Sequence, residues 1–227
     1  MVPVAFDDPL AVALEAEAAC VWHDWAGALL VAAAACVAGS SSCRIVLQRG
    51  HVVDVGGGSI PRLLRLAGAE PVEVGAVDLC RTEALRAALL EPGTVAGLFV
   101  LCQVTPAGLV DLPRFAWACR EAGRTALVAM RGAASPAAAL DAGADLVVAD
   151  AAEALGGPPL GLVAGRASLM LACSAQRELA GRVALPRAAE VEALRSTLVA
   201  RGRVYPHKPV PTPLSGATPA GYDRAVG

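Results

Sequence analysis

Apolar positions along the chain fall into two kinds of run. One kind is short, continuous and rich in β-branched residues: 43–48 (CRIVLQ), 71–74, 95–102, 125–130, 145–148 and 160–164. Such runs, bounded by Gly, Pro or polar clusters, predict buried strands. His51–Val55 predicts a further short strand ending in Gly56-Gly57-Gly58. The other kind is longer and built from Ala, Leu and Glu. It predicts helices over 8–20, 26–38, 60–67, 82–90, 111–122, 135–142, 167–179 and 188–200. Thr82, Asp111 and Asp24 are placed to cap helix starts, and Gly123 to stop one. Pro61 and Pro113 sit in first turns, where proline is tolerated.

Strand and helix alternate, and the strands lack the polar side expected of a half-exposed sheet. Strands of that kind are covered on both faces, which predicts an α/β fold with a mostly parallel central sheet. The pattern stops at Arg203. Beyond it, Pro206, Pro209, Pro211, Pro213 and Pro219 exclude regular helix. The expected organisation is one domain over residues 1–202 and a Pro-rich arm or tail over 203–227. Wrapping a partner and hanging free are both open for that arm.

Composition narrows the picture. Of 227 residues, 56% are hydrophobic but only 4% aromatic, so Ala, Val and Leu must fill the core. The net charge is -2 and no basic run occurs, which argues against a nucleic-acid partner. Seven cysteines without a CxxC pair argue against a disulfide framework or a zinc site. Buried thiols in a reducing, cytoplasmic setting are expected instead. The apolar run 26–38 falls short of the about 20 residues that span a bilayer, so it predicts a buried helix and no membrane partner.

Two stretches carry a family pattern. The first is Gln48-Arg49-Gly50-His51-Val52-Val53-Asp54-Val55-Gly56-Gly57, followed by Ile60-Pro61, Ala67-Gly68-Ala69 and Val72-Glu73-Val74-Gly75. The second is Ala142-Gly143-Ala144-Asp145-Leu146-Val147, followed by Leu155-Gly156-Gly157-Pro158 and Gly165-Arg166. In this order and spacing they resemble the selenocysteine synthase family, the L-seryl-tRNA(Sec) selenium transferases and their relatives. These are pyridoxal-phosphate (PLP) enzymes of fold type I. The resemblance implies a three-layer PLP-transferase large domain, with the small C-terminal domain absent.

The same resemblance exposes a loss. PLP chemistry needs a lysine for the Schiff base and an aspartate against the pyridinium nitrogen. The lysine place, three residues before the paired glycines, is Glu153, and the aspartate place is Met130. The place of the phosphate turn is Trp25-Ala26-Gly27, preceded by Asp24. The histidine that comes after the central strand in the family gives way to Cys102. The chain's single lysine, Lys208, lies in the arm, and arginine is too basic to substitute.

What the resemblance then implies is a non-catalytic subunit with no cofactor of its own. It would pair, in a hetero-oligomer, with a homologous lysine-bearing subunit that holds PLP. Leu155, Gly156, Gly157 and Pro158 would border the partner's site, Trp25, Ala26 and Gly27 would be a vestigial phosphate turn, and His51 a ring contact. The expected chemistry of such a complex is elimination or replacement on Ser- or Cys-like amino acids or peptides. Two other readings stay open: a PLP lyase or transferase that uses a partner's lysine or Lys208, and a stand-alone small-molecule binding protein.

Overall fold

The computed structural model describes residues 8–52, 54–55, 58–101, 107–132, 134–176 and 185–202. The expected Gly56-Gly57 turn, Cys102, Leu179 and the arm with Lys208 lie outside the described residues. In chain order the elements are α1 (Asp8–Ala13), β1 (Ala18–Trp22), α2 (Trp25–Val37), β2 (Arg44–Gln48), a 3-10 turn (Arg49–His51), β3 (Asp54–Val55), β4 (Gly58–Ser59), α3 (Ile60–Leu66) and β5 (Glu70–Val74). There follow α4 (Thr82–Leu90), β6 (Thr94–Leu101), α5 (Leu112–Glu121), β7 (Thr125–Met130), α6 (Pro136–Asp141), β8 (Leu146–Asp150), α7 (Ala151–Leu155), β9 (Gly161–Gly165), α8 (Ala167–Ala175) and α9 (Ala188–Ala200).

Seven strands form one mixed sheet in the order β1-β9-β8-β7-β6-β2-β5. The strands from β5 across to β8 run parallel, and β9 is antiparallel to both its neighbours. Helices α2, α3 and α8 cover one face, over Leu29, Ile45, Leu47, Leu98 and Leu127. Helices α4, α5 and α6, with α1 and α9, cover the other, over Phe99, Phe115 and Val128. The three-layer, mostly parallel α/β architecture is therefore the one the sequence pattern predicts.

Small residues set the layer spacing. Helix α2 buries Ala28, Ala32, Ala33, Ala34 and Ala35 as well as Leu29 and Val31. Their short side chains let the helix lie close on the sheet. On the other face, Gly97 makes room for α5, since a Cβ there would stand 2.7 Å from both Cys119 Sγ and Phe115 Cζ. Filling such a contact forces neighbours off their rotamers.

Several local expectations are corrected. The helix expected over 8–20 ends at Ala13, and Ala18–Trp22 is the fully buried edge strand β1, paired with β9. Glu15, with φ of 53°, turns the chain between the two. Alanine-rich composition reads as helix, but pairing and burial decide the outcome here. His51 belongs to a 3-10 turn rather than a strand, and β3 begins at Asp54. Thr82 is the first residue of α4, whose cap position is Arg81, with no side-chain capping bond. Helix α7 is not apparent from the sequence pattern.

Candidate functional site at the carboxyl edge of the sheet

Open α/β sheets bind ligands outside the carboxyl ends of their parallel strands. Here that edge brings together the end of β7, the start of α2 and the start of α7. Trp22 and Asp150 both stand opposite Gly161, so the turn into α2 and the turn into α7 lie on one side.

Helix α2 starts at Trp25, and Asp24 caps it in an extended conformation, φ -149° and ψ 172°. The Gly27 N–H donates to Asp24 Oδ1 at 2.7 Å. The helix start expected of a phosphate turn is therefore kept, but its Gly27 donor is already used by the chain's own carboxylate. Trp25 is buried, and its Nε1–H donates to the Met130 carbonyl at 2.7 Å. Met130 itself is buried at the end of β7. A thioether there is only a weak, uncharged acceptor and cannot hold a pyridinium proton as a carboxylate does.

Glu153 lies in the first turn of α7, where a carboxylate suits the helix dipole. Its Oε2 accepts from the Gly132 N–H at 2.7 Å, and its Oε1 stands 4.0 Å from Arg131 Nη2. The Arg131 guanidinium in turn lies 5.5 Å over the Trp25 ring. Glu153, Arg131, Gly132, Trp25 and Met130 thus form one connected network across three elements, with Asp24 beside it at the cap of α2. Arg131 and Gly132 are the members that sequence reasoning missed. The available signal was an arginine next to the Met130 position, opposite a glutamate at the lysine position.

The Leu155-Gly156-Gly157-Pro158 loop closes α7. Leu155 is buried, and Gly156 takes a left-handed φ of 63° as the helix cap. A Cβ on Gly156 would meet the Arg201 guanidinium, and one on Gly157 would stand 2.7 Å from Leu194 Cδ1. The loop is thus lined from within by α9 and the residue after it, with Pro158 half-buried and Pro159 exposed.

His51 stands apart from this network. It is buried, its Nδ1 accepts from the Val100 N–H at 3.4 Å, and its ring meets Phe99 edge-on at 4.4 Å. Its Nε2 has no partner among the described residues. Burial pushes its pKa down to about 4, so it is neutral near pH 7. The described cysteines form no disulfide with one another, and burial pushes Cys36 and Cys119 up to about 12, far from a reactive thiolate. Among the described residues no group of His, Cys, Asp and Glu gathers as a metal site, and no helix is long and apolar enough to cross a membrane.

The residues do not fit PLP. A glutamate stands where the family resemblance puts the lysine, and it is held by the Gly132 amide. A carboxylate holds the Gly27 amide at the start of α2. A methionine stands where the family resemblance puts the aspartate.

Comparison with known proteins places the chain among related sequences and folds. Residues 5–96 match the family model described as L-seryl-tRNA selenium transferase. A 5'-C-glycyluridine monooxygenase-decarboxylase from a Streptomyces species is 32% identical over 182 residues, 74% of this chain and 45% of that protein. An L-seryl-tRNA(Sec) selenium transferase from Geotalea uraniireducens is 31% identical over 173 residues, 68% of this chain and 37% of that protein. The solved D-glucosaminate-6-phosphate ammonia-lyase superposes with a TM-score of 0.80 at 22% identity, over 88% of this chain and 58% of that one. A cystathione gamma lyase from Micromonospora echinospora superposes with a TM-score of 0.62 at 26% identity, over 83% of this chain and 49% of that one. The chain spans less than half the length of these curated relatives.

Proposed function

We propose that this chain, a selenocysteine-synthase-like member of the fold type I PLP proteins, is a non-catalytic subunit of a PLP-dependent complex. The family is lyase- and transferase-like, and its members use PLP. In the proposed complex a homologous lysine-bearing partner holds the cofactor. This chain contributes surface beside the partner's site through the outer rim of the Gly156–Pro158 loop. The complex acts on Ser- or Cys-like amino acids or peptides by elimination or replacement.

One observation carries the reading: Glu153, which the family resemblance puts at the lysine place, is engaged with the Gly132 amide at 2.7 Å. A carboxylate cannot form an imine, and nothing in the described network is left waiting for one. Loss of the chemistry with retention of the fold is what a supporting subunit needs.

The test is native mass and absorbance of the full chain, purified alone and after co-expression with a lysine-bearing relative encoded beside it. The expected result is no pyridoxal-phosphate absorbance for the chain alone, and a mixed complex whose PLP maps to the partner's lysine. An imine band on the chain alone, mapping to Lys208, overturns the reading in favour of an enzyme with its own anchor. A chain that stays homo-oligomeric in the presence of every such relative also overturns it.

A further inference from the structure

We infer that Asp24 and Glu153 act as built-in anions that take the place of a bound cofactor at the carboxyl edge, so that returning a lysine at position 153 does not by itself restore PLP binding. This holds for the isolated chain, independently of the proposed partner.

A helix N-terminus attracts phosphate because its first N–H groups lack partners. At the start of α2 the Gly27 N–H is already donated to Asp24 Oδ1 at 2.7 Å. An incoming phosphate loses that donor and meets a like charge beside it. At the start of α7, Glu153 Oε2 holds the Gly132 N–H at 2.7 Å. Between them, the Trp25 indole is tied to the Met130 carbonyl at 2.7 Å, and its face carries the Arg131 guanidinium at 5.5 Å.

Two short hydrogen bonds therefore join α2 to the end of β7 and the turn after β7 to α7, and a third closes the start of α2, with no ligand. Each uses a group of this chain where an anionic, aromatic cofactor would otherwise have to be met. Replacing Glu153 alone leaves Asp24 in possession of the helix start. It also removes the acceptor of the Gly132 N–H and the counter-charge of Arg131, and sets a second cation beside that guanidinium.

The experiment compares three full-length chains: the parent, Glu153→Lys, and the double variant Asp24→Gly with Glu153→Lys. Glycine is accepted at a helix cap with little loss, while it frees the Gly27 amide. Each chain is incubated with PLP, reduced with borohydride and mapped by peptide mass, with Lys208 as the internal reference. In the single variant the introduced lysine is expected to be labelled within about twofold of Lys208, and in the double variant at least about tenfold more strongly. Strong labelling at position 153 in the single variant overturns the inference, and so does equally weak labelling in both.

Should the lysine variants fail to fold, Asp24→Gly alone serves, with inorganic phosphate as the probe. Phosphate is expected to leave the parent's melting temperature unchanged and to raise that of Asp24→Gly by about 2–4 °C. An equal rise in both chains, or none in Asp24→Gly, contradicts it.

Discussion

At the amino end of β7, Asp145 Oδ2 accepts from the Ala126 N–H at 2.8 Å, and Oδ1 meets Arg166 Nη2 at 2.8 Å. At the carboxyl end, Glu153 Oε2 accepts from the Gly132 N–H at 2.7 Å, while Oε1 and Arg131 Nη2 stand 4.0 Å apart. The parts are the same: a carboxylate, a peptide N–H and an arginine. The setting differs, because the Asp145 side chain is 14% exposed and that of Glu153 is 34% exposed. Asp145 ties β7, β8 and β9 together, so its loss leaves the buried Ala126 N–H without an acceptor, while Arg166 keeps access to water. Glu153 holds a turn at an open edge, where water can replace what it provides. One end serves the fold. The other stands where the family resemblance puts a cofactor, and serves local order.

The largest expected effect is at the drier end. Asp145→Ala should lower unfolding stability by about 3 kcal/mol, most of it because the buried Ala126 N–H loses a charged acceptor, with a small part from the half-exposed Arg166 pair. A urea titration with unchanged slope measures it. A loss no larger than that of Glu153→Ala would erase the contrast between the two ends.

Between the ends, His51 gives the sheet interior its own signature in acid. Its folded pKa lies near 4 because burial disfavours the charged ring, against an ordinary 6.5. The unfolded chain therefore binds the extra proton first, and the stability present above pH 6.5 is lost as pH falls toward 4. The loss amounts to about 3 kcal/mol over that window. Denaturant midpoints of the parent and of His51→Leu across the same range check it. A parent curve as flat as that of the variant would mean that His51 is not buried in its neutral form.

Smaller effects belong to the open end. Glu153→Ala should cost about 1 kcal/mol, discounted for its exposure, and Glu153→Gln less than half of that because the amide oxygen still accepts from Gly132. Equal losses would show that charge, rather than the hydrogen bond, holds the turn. Arg131→Ala should change stability by no more than about 0.5 kcal/mol, since its side chain is 40% exposed and its ion pair is long at 4.0 Å. A larger change would make Arg131 the anchor of the network.

Layering and most strands were legible because β2, β6, β7 and β8 are continuous apolar runs, and Asp24 and Asp111 are strong caps. Strand β1 was not legible, since Ala18-Ala19-Cys20 has helix-forming composition and becomes strand only through pairing with β9. Helix α7 is only five residues long, too short for a periodic signal. The lysine and aspartate places at Glu153 and Met130 come from the family resemblance alone. What replaces that chemistry was not legible, because the Glu153–Gly132 and Trp25–Met130 bonds join residues 21 and 105 positions apart. The packing of Gly157 against Leu194 and of Gly156 against Arg201 likewise comes from α9 and the residue after it, which no local pattern places there.

Amide exchange at Gly27 and Gly132, followed by NMR in the full chain with and without PLP, tests the central claim most directly. If Asp24 and Glu153 already fill the edge, both amides are protected in the cofactor-free chain and adding PLP changes neither. Rapid exchange of both without PLP, with protection appearing on its addition, would contradict the account and return the edge to a cofactor site.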